Sequence, residues 1–320
     1  MEVCRPALDE IKAAARTLGD VIVRTPLVPL HADEGDVDAA PILLKPETHQ
    51  RGGSFKIRGV FNAVASLPEN QRRRGISTVS AGNTAQALAW AGRHFGVPAR
   101  SLMPLTAPAS KIDAVRDLGA EVVLVPVAEV FGYLRDHGWE REPWAFIHPW
   151  TDRNVLIGHG TMGLEIVADC PEVDTVFVPV GGGGLIGGVG SALKVLKPEI
   201  RLIAVEPQGC PSLQASLRAG RPESVECHTI CDGVAVPYIT DEMFPLLRDL
   251  VDDAVLVSED DVRATVRSLA VRDKIVAEPS GALALAAALA TPPAERGTTV
   301  CIVSGGSIDP ATLAAILTGH

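Results

Sequence analysis

The stretch Val176-Phe177-Val178-Pro179-Val180-Gly181-Gly182-Gly183-Gly184-Leu185-Ile186-Gly187-Gly188 joins an apolar run to a second one through four consecutive glycines. It reads as a strand, a turn without side chains and a helix. Fixing a glycine costs more chain entropy than fixing any other residue. Four together at a strand's end therefore point to bare N–H groups converging on an anion, phosphate first among them, beside a helix N-terminus. A tight crossover alone needs one or two. Gly182, Gly184 and Gly187 also spell G-x-G-x-x-G, and Glu206 ends the next apolar run, which is the pattern of a dinucleotide-binding turn. By itself the stretch fits a dinucleotide and a smaller phosphorylated cofactor alike.

Working outward, apolar runs of strand length at 42–44, 76–79, 101–103, 121–125, 176–180, 202–205, 254–257 and 300–303 alternate with helical spacing at 84–95, 109–118, 155–168, 185–196, 259–271 and 281–289. Such alternation predicts an α/β fold with mostly parallel sheets covered on both faces. Ser258 before Glu259-Asp260-Asp261 reads as a helix cap with an acidic first turn. No repeat or linker separates two lobes, so lobes are expected to interleave, with 135–153 as the crossover back to the main one.

The 320 residues carry a formal net charge of −10, which argues against nucleic acid or an anionic membrane as partner. Arg72-Arg73-Arg74 reads as a solvated helix end. Glu2, Arg5, Asp9, Glu10 and Lys12 leave no apolar leader near the start, so a cytoplasmic protein is expected. The alanine-rich run near 282–290 is too short for a bilayer and reads as a buried helix. Six cysteines are scattered without a C-x-x-C pair or a context that favours disulfides, and most are expected to be small buried hydrophobes. Cys227, His228 and Cys231 lack a fourth ligand for a metal.

Lys56 lies in Gly52-Gly53-Ser54-Phe55-Lys56-Ile57-Arg58-Gly59, where a helical segment begins. A helix N-terminus disfavours a cation and the flanking Phe55 desolvates it, so its pKa should fall toward the range that suits Schiff-base chemistry. A solvated surface lysine is the other reading of this residue alone. A second turn, Ser80-Ala81-Gly82-Asn83-Thr84, follows the run at 76–79 and opens another helix, with Asn83 as its cap on the plainest reading. A third, Ser304-Gly305-Gly306-Ser307, follows the run at 300–303. Three such turns after three strands would line one edge of a parallel sheet, where ligands bind in such folds.

The S-F-K-I-R-G block, the S-A-G-N turn, the G-G-G-G-L-I-G turn, Cys231-Asp232-Gly233-Val234-Ala235-Val236, Glu278-Pro279-Ser280-Gly281-Ala282 and the S-G-G turn occur in an order that resembles the pyridoxal-phosphate enzymes of the tryptophan synthase β type, fold type II. Within them the chain resembles the serine/threonine dehydratases and serine racemases, from about Ala13 to Pro310. The resemblance implies two lobes, each a mostly parallel twisted sheet flanked by helices: a large cofactor-binding domain of residues 1–72 plus 145–320, and an inserted small domain of 73–144 that closes on substrate. It implies pyridoxal 5'-phosphate held on Lys56 as a Schiff base, with Phe55 against the pyridine ring. Asn83 would bond the ring's 3' oxygen, Gly181, Gly182, Gly183 and Gly184 the phosphate, and Ser304 would face the pyridine nitrogen. Ser80, Asn83 and Thr84 would grip a substrate carboxylate. The implied reaction is β-elimination of a small 3-hydroxy amino acid such as L-threonine or L-serine to a 2-oxo acid and ammonia, with Lys56 taking the Cα proton. A homodimer or homotetramer is implied as well.

Departures from the family pattern refine this. Ala81 stands where racemases commonly carry a serine that moves a proton on the face opposite the lysine, so elimination is favoured over racemisation. Lys56-Ile57-Arg58 differs from the K-D-R common in β-replacement enzymes, although Thr84 in place of a histidine is nearer to them. Gly52, Cys231 and Ser307 also depart, which leaves 3-hydroxyaspartate or another 3-hydroxy amino acid open as substrate. Some relatives bind a divalent cation through a glutamate placed as Glu206, with an aspartate six residues on; Ser212 occupies that position, so no metal is expected. With the sequence ending at His320, a regulatory C-terminal domain like that of the biosynthetic threonine dehydratases is not expected. A dinucleotide oxidoreductase, which leaves the S-F-K and S-A-G-N blocks unexplained, and a non-catalytic module that would bind phosphate or an amino acid without turnover remain the readings from other classes.

Overall fold

The Val, Ile and Leu runs pair side by side in two sheets in the computed structural model, which describes residues 2–31, 40–80 and 82–319. The strands are β1 (Val28–Pro29), β2 (Ile42–Pro46), β3 (Ile76–Val79), β4 (Ala99–Pro104), β5 (Glu121–Val125), β6 (Ala145–Phe146), β7 (Thr175–Pro179), β8 (Arg201–Pro207), β9 (Asp253–Val257) and β10 (Thr299–Val303). One sheet has the order β1-β2-β10-β7-β8-β9 and the other β5-β4-β3-β6. Among these strand pairs of the described residues, only β1–β2 is antiparallel. Every residue of β7 and β10 is buried, as strands covered by helices on both faces must be, which is why they read as continuous apolar runs. Helix Pro279–Ala290 has Pro279 through Ala288 buried; its alanines let it lie close against the sheet, as the sequence indicates.

Each of the eight expected strands and six expected helices is present, with ends displaced by a few residues. Strands β1 and β6 are two residues long, too short to leave a period in the sequence. The helix expected at 259–271 runs as Glu259–Ser268 and then widens into a π turn at Leu269–Asp273. Ser258 caps it as expected, its side chain accepting from Asp261 N–H. No described helix is long and apolar enough to cross a membrane.

Two expectations are corrected. The Gly181 and Ser304 turns end neighbouring strands β7 and β10, but the Ser80–Asn83 turn ends β3 in the other sheet. The three turns therefore come from two sheets, not from one edge. Cys210 and Cys227 form a disulfide, with Cα atoms 4.4 Å apart; Gly209 and His228 pair through a backbone hydrogen bond beside them, a closure that seventeen residues of separation conceal. Cys170, Cys231 and Cys301 are buried free thiols and Cys4 is exposed.

Candidate active site

The glycine turn owes its composition to close neighbours. Gly183 has φ +90°, and a Cβ there would come within 2.5 Å of Leu247 Cδ1; one on Gly182 would lie 2.4 Å from Trp150 Cδ2. Side chains are thus excluded both by conformation and by space. Val180 N–H donates to Val205 O and Gly187 N–H to Gly183 O, both at 2.9 Å, but no described residue accepts from the N–H groups of 181–186. Buried donors left this way at the start of helix Gly184–Leu196 call for an anion.

Across the cavity, the segment before Lys56 is stitched to the end of β10. Phe55 N–H donates to Ser304 O at 3.0 Å, Gly306 N–H to Gly53 O at 2.9 Å, and Ser54 forms a bridge with Gly305. Lys56 is the first residue of helix Lys56–Ser66, and its Nζ lies over the Phe55 ring, 4.9 Å from the centroid. No described residue accepts a hydrogen bond from that amine. Burial lowers its pKa to about 8, against the opposing pull of Glu278. Phe55 also packs on His159, ring centroids 4.7 Å apart; burial, with Lys56 and Arg58 nearby, holds that imidazole neutral. The helix is anchored by Arg58, whose buried guanidinium bonds Glu47 and Glu165, while Lys45 Nζ reaches Glu165 at 2.6 Å.

The opposite wall comes from the second sheet. Asn83 is not the cap: Gly82 holds that position and Asn83 is the first helical residue of Asn83–Phe95. Its side chain is free to reach over the cleft, where Nδ2 donates to Glu278 Oε1 at 2.7 Å. Asn83 Oδ1 and Glu278 Oε2 are buried without partners. Ser80 Oγ accepts from Gly82 N–H at 3.2 Å, and Thr84 is buried beside it. Ala81 lies outside the described residues. Lys111, from helix Ala109–Asp117, pairs with Asp232 across the same cleft. Burial, with Asp232 adding repulsion, pushes the Glu278 carboxyl up to about 7.

Lys56, Asn83, Gly182, Ser304, Glu278 and Lys111 line one cavity of about 380 Å³, together with Phe55, Ser80 and Thr84. Phe55, Lys56, Ser80, Asn83, Thr84, Gly181 to Gly184 and Ser304, the site residues expected from the sequence around the three turns, all line it. Glu278, Lys111 and Asp232 were missed. Glu278 and Asp232 stand within motifs that were legible, but nothing local distinguishes Lys111 from a surface lysine of a helix. A turn lined with free N–H groups, a free amine with a depressed pKa and an orphaned Asn83 oxygen between them fit pyridoxal phosphate: one phosphate, one aldehyde and a ring bearing a hydroxyl.

Glu206 is placed elsewhere. Its buried carboxylate accepts from Leu213 N–H at 2.7 Å and Gln214 N–H at 2.8 Å and bonds the Ser212 hydroxyl at 3.3 Å, so it caps helix Ser212–Ala219. That cap is the use this structure shows for the carboxylate read in the sequence as a ribose partner or a cation ligand. Among the described residues no three His, Cys, Asp or Glu side chains are grouped to hold a metal ion.

Residues 18–305 match the family model described as pyridoxal-phosphate dependent enzyme. The chain is 42% identical over 310 residues to an L-threonine ammonia-lyase of Thermotoga maritima, covering 94% of this chain and 76% of that one. It is 39% identical over 319 residues to a catabolic L-threonine dehydratase of Escherichia coli strain K12, covering 95% and 93%. The structure of maize serine racemase superposes with a TM-score of 0.90 at 34% identity, covering 99% and 98%. With the family model matched over most of its length and both sheets shared with a solved relative, the chain belongs to the fold type II pyridoxal-phosphate-dependent enzymes.

Proposed function

We propose that this enzyme is an ammonia-lyase that eliminates the hydroxyl of a small 3-hydroxy amino acid, L-threonine or L-serine, to give a 2-oxo acid and ammonia. The observation that carries this reading is the Lys56 amine, unpaired and low in pKa, in one cavity with the glycine turn, Asn83 and Ser304. The similarity to L-threonine ammonia-lyases along most of the chain supports the reaction and the substrate class.

Bound there, pyridoxal phosphate supplies an electron sink that acidifies the Cα hydrogen of an attached amino acid. In this reading Lys56 tethers the cofactor and, once released by substrate, its neutral amine takes the Cα proton. The N–H groups of Gly181, Gly182, Gly183 and Gly184 hold the phosphate, Asn83 holds the ring oxygen, and Ser304 stands at the ring nitrogen. Phe55, backed by His159, covers the ring and excludes water. Ser80, Thr84 and Asn83 orient the substrate carboxylate, which draws the 73–144 lobe onto the 1–72 plus 145–320 lobe. Water lost from Cα and Cβ is regained when the imine hydrolyses, so no oxidant or reductant is consumed. A homodimer or homotetramer is proposed by family analogy, and a cytoplasmic location from the charged residues near the start.

An absorbance scan with added pyridoxal phosphate tests the tether: the visible band of a lysine adduct, near about 410–420 nm, should form in the wild type and not in Lys56→Ala. Release of ammonia and 2-oxo acid is then measured for serine, threonine and 3-hydroxyaspartate of both configurations. Full turnover by Lys56→Ala would overturn the reading, and inversion of serine outpacing ammonia release would make the enzyme a racemase.

A further inference from the structure

Glu278 stands where loops of the two sheets meet. Its side chain is 3% exposed, with Oε1 bonded to Asn83 and Oε2 unpartnered. Its own N–H donates to Gly305 O at 3.0 Å, one residue from Ser304. A Cβ on Gly305 would come within 2.7 Å of Oε1, and one on Gly233 within 3.5 Å, so two glycines leave the carboxyl group its place. A buried carboxylate persists only where opposite charge and donors face it. Lys56 from helix Lys56–Ser66 and Lys111 from helix Ala109–Asp117 supply the charge, Asn83 the donor, and Asp232 on the short turn Asp232–Val234 opposes them.

We propose that Glu278 is a positioning residue of this site, whose carboxylate holds the Asn83 amide and serves as counter-ion to the Lys56 amine in the cavity both line. The proposal rests on the lyase reading, in which Lys56 must pass between ammonium and amine. An anion in the same cavity stabilises the Lys56 ammonium, while burial of Lys56 stabilises the amine. Glu278 therefore keeps Lys56 from losing its proton too readily in a cavity that otherwise drives it off. The bond to Asn83 makes the same carboxylate the contact through which the second sheet's turn meets the lysine side of the cleft.

The test is competitive acetylation of Lys56 in the full-length, cofactor-free protein, followed by mass spectrometry across pH. Glu278→Gln keeps the shape and an acceptor for Asn83 but removes the charge. The labelling midpoint of Lys56 should fall by about half a pH unit or more, which is about threefold more free amine below the midpoint. Glu278→Asp sets the charge one carbon farther back and should give a midpoint between the two. It also serves alone if the glutamine variant does not fold. An unchanged midpoint in whichever variant folds overturns the proposal. Failure of the lyase reading would show separately, as a wild-type protein in which Lys56 forms no adduct with pyridoxal phosphate.

Discussion

The Phe55 amide donates to the Ser304 carbonyl over 3.0 Å, so the residue before the cavity's lysine is tied to the end of the central strand β10. Lysine and serine, far apart in sequence, are held in one frame by backbone, not by their side chains. Ser304→Ala should therefore leave Lys56 in place while removing one hydroxyl from the cavity. Pyridoxal phosphate should still attach to Lys56 in this variant, with affinity weaker by about two- to tenfold, the worth of one neutral hydrogen bond. Equilibrium titration followed by visible absorbance measures it.

The lowered pKa of Lys56 has a kinetic signature. Only the neutral amine attacks an aldehyde, and with a pKa of about 8 its fraction grows with pH below that value and saturates above it. Uptake of pyridoxal phosphate by the cofactor-free enzyme should quicken about tenfold per pH unit up to about 8 and then level off. Stopped-flow absorbance gives the profile; a rise continuing to pH 10 would restore Lys56 to an ordinary surface lysine.

Gly183 combines a positive φ with a neighbour, Leu247, that leaves no room for a methyl group. Gly183→Ala should strain the turn by about 1–3 kcal/mol and displace the N–H groups that face the anion. Cofactor affinity should fall by about tenfold or more, since each 1.4 kcal/mol is a decade. Binding of unphosphorylated pyridoxal should change much less, which isolates the effect to the phosphate end.

Arg58 is fully buried between Glu47 and Glu165. Truncating it to alanine leaves two carboxylates facing each other with Lys45 as their remaining nearby cation. Arg58→Ala should lower unfolding stability by about 3–5 kcal/mol, the cost of orphaning a buried pair, read from urea denaturation. Because the same side chain anchors helix Lys56–Ser66, cofactor uptake should slow as well.

Much of the site was legible because its signals are local. Four adjacent glycines, a lysine at a helix start and turns after apolar runs are short-range facts, and the structure gathers Lys56, Asn83, Ser304 and the glycines around one cavity. The same locality misled where a partner was distant. Asn83 reads as a helix cap because its own neighbourhood offers nothing else, yet Glu278, 195 residues on, takes its amide. Glu206 reads as a ribose or cation ligand until Leu213 and Gln214 are seen to use it as a cap. Cys210 and Cys227 looked like two of six scattered thiols, since no spacing rule announces which loops return to the same place.

The chain's sequence by itself determined the α/β alternation, the anion-binding turn and the lysine, because periodicity, glycine content and a helix N-terminus act over a few residues. Tertiary structure alone decided that two sheets, not one, supply the cavity's walls, and that Glu278, Lys111 and Asp232 set its charge. Burial and the field of a facing ion depend on which segments the fold brings within a few ångströms, and for residues a hundred or more positions apart that distance is a property of the packed molecule.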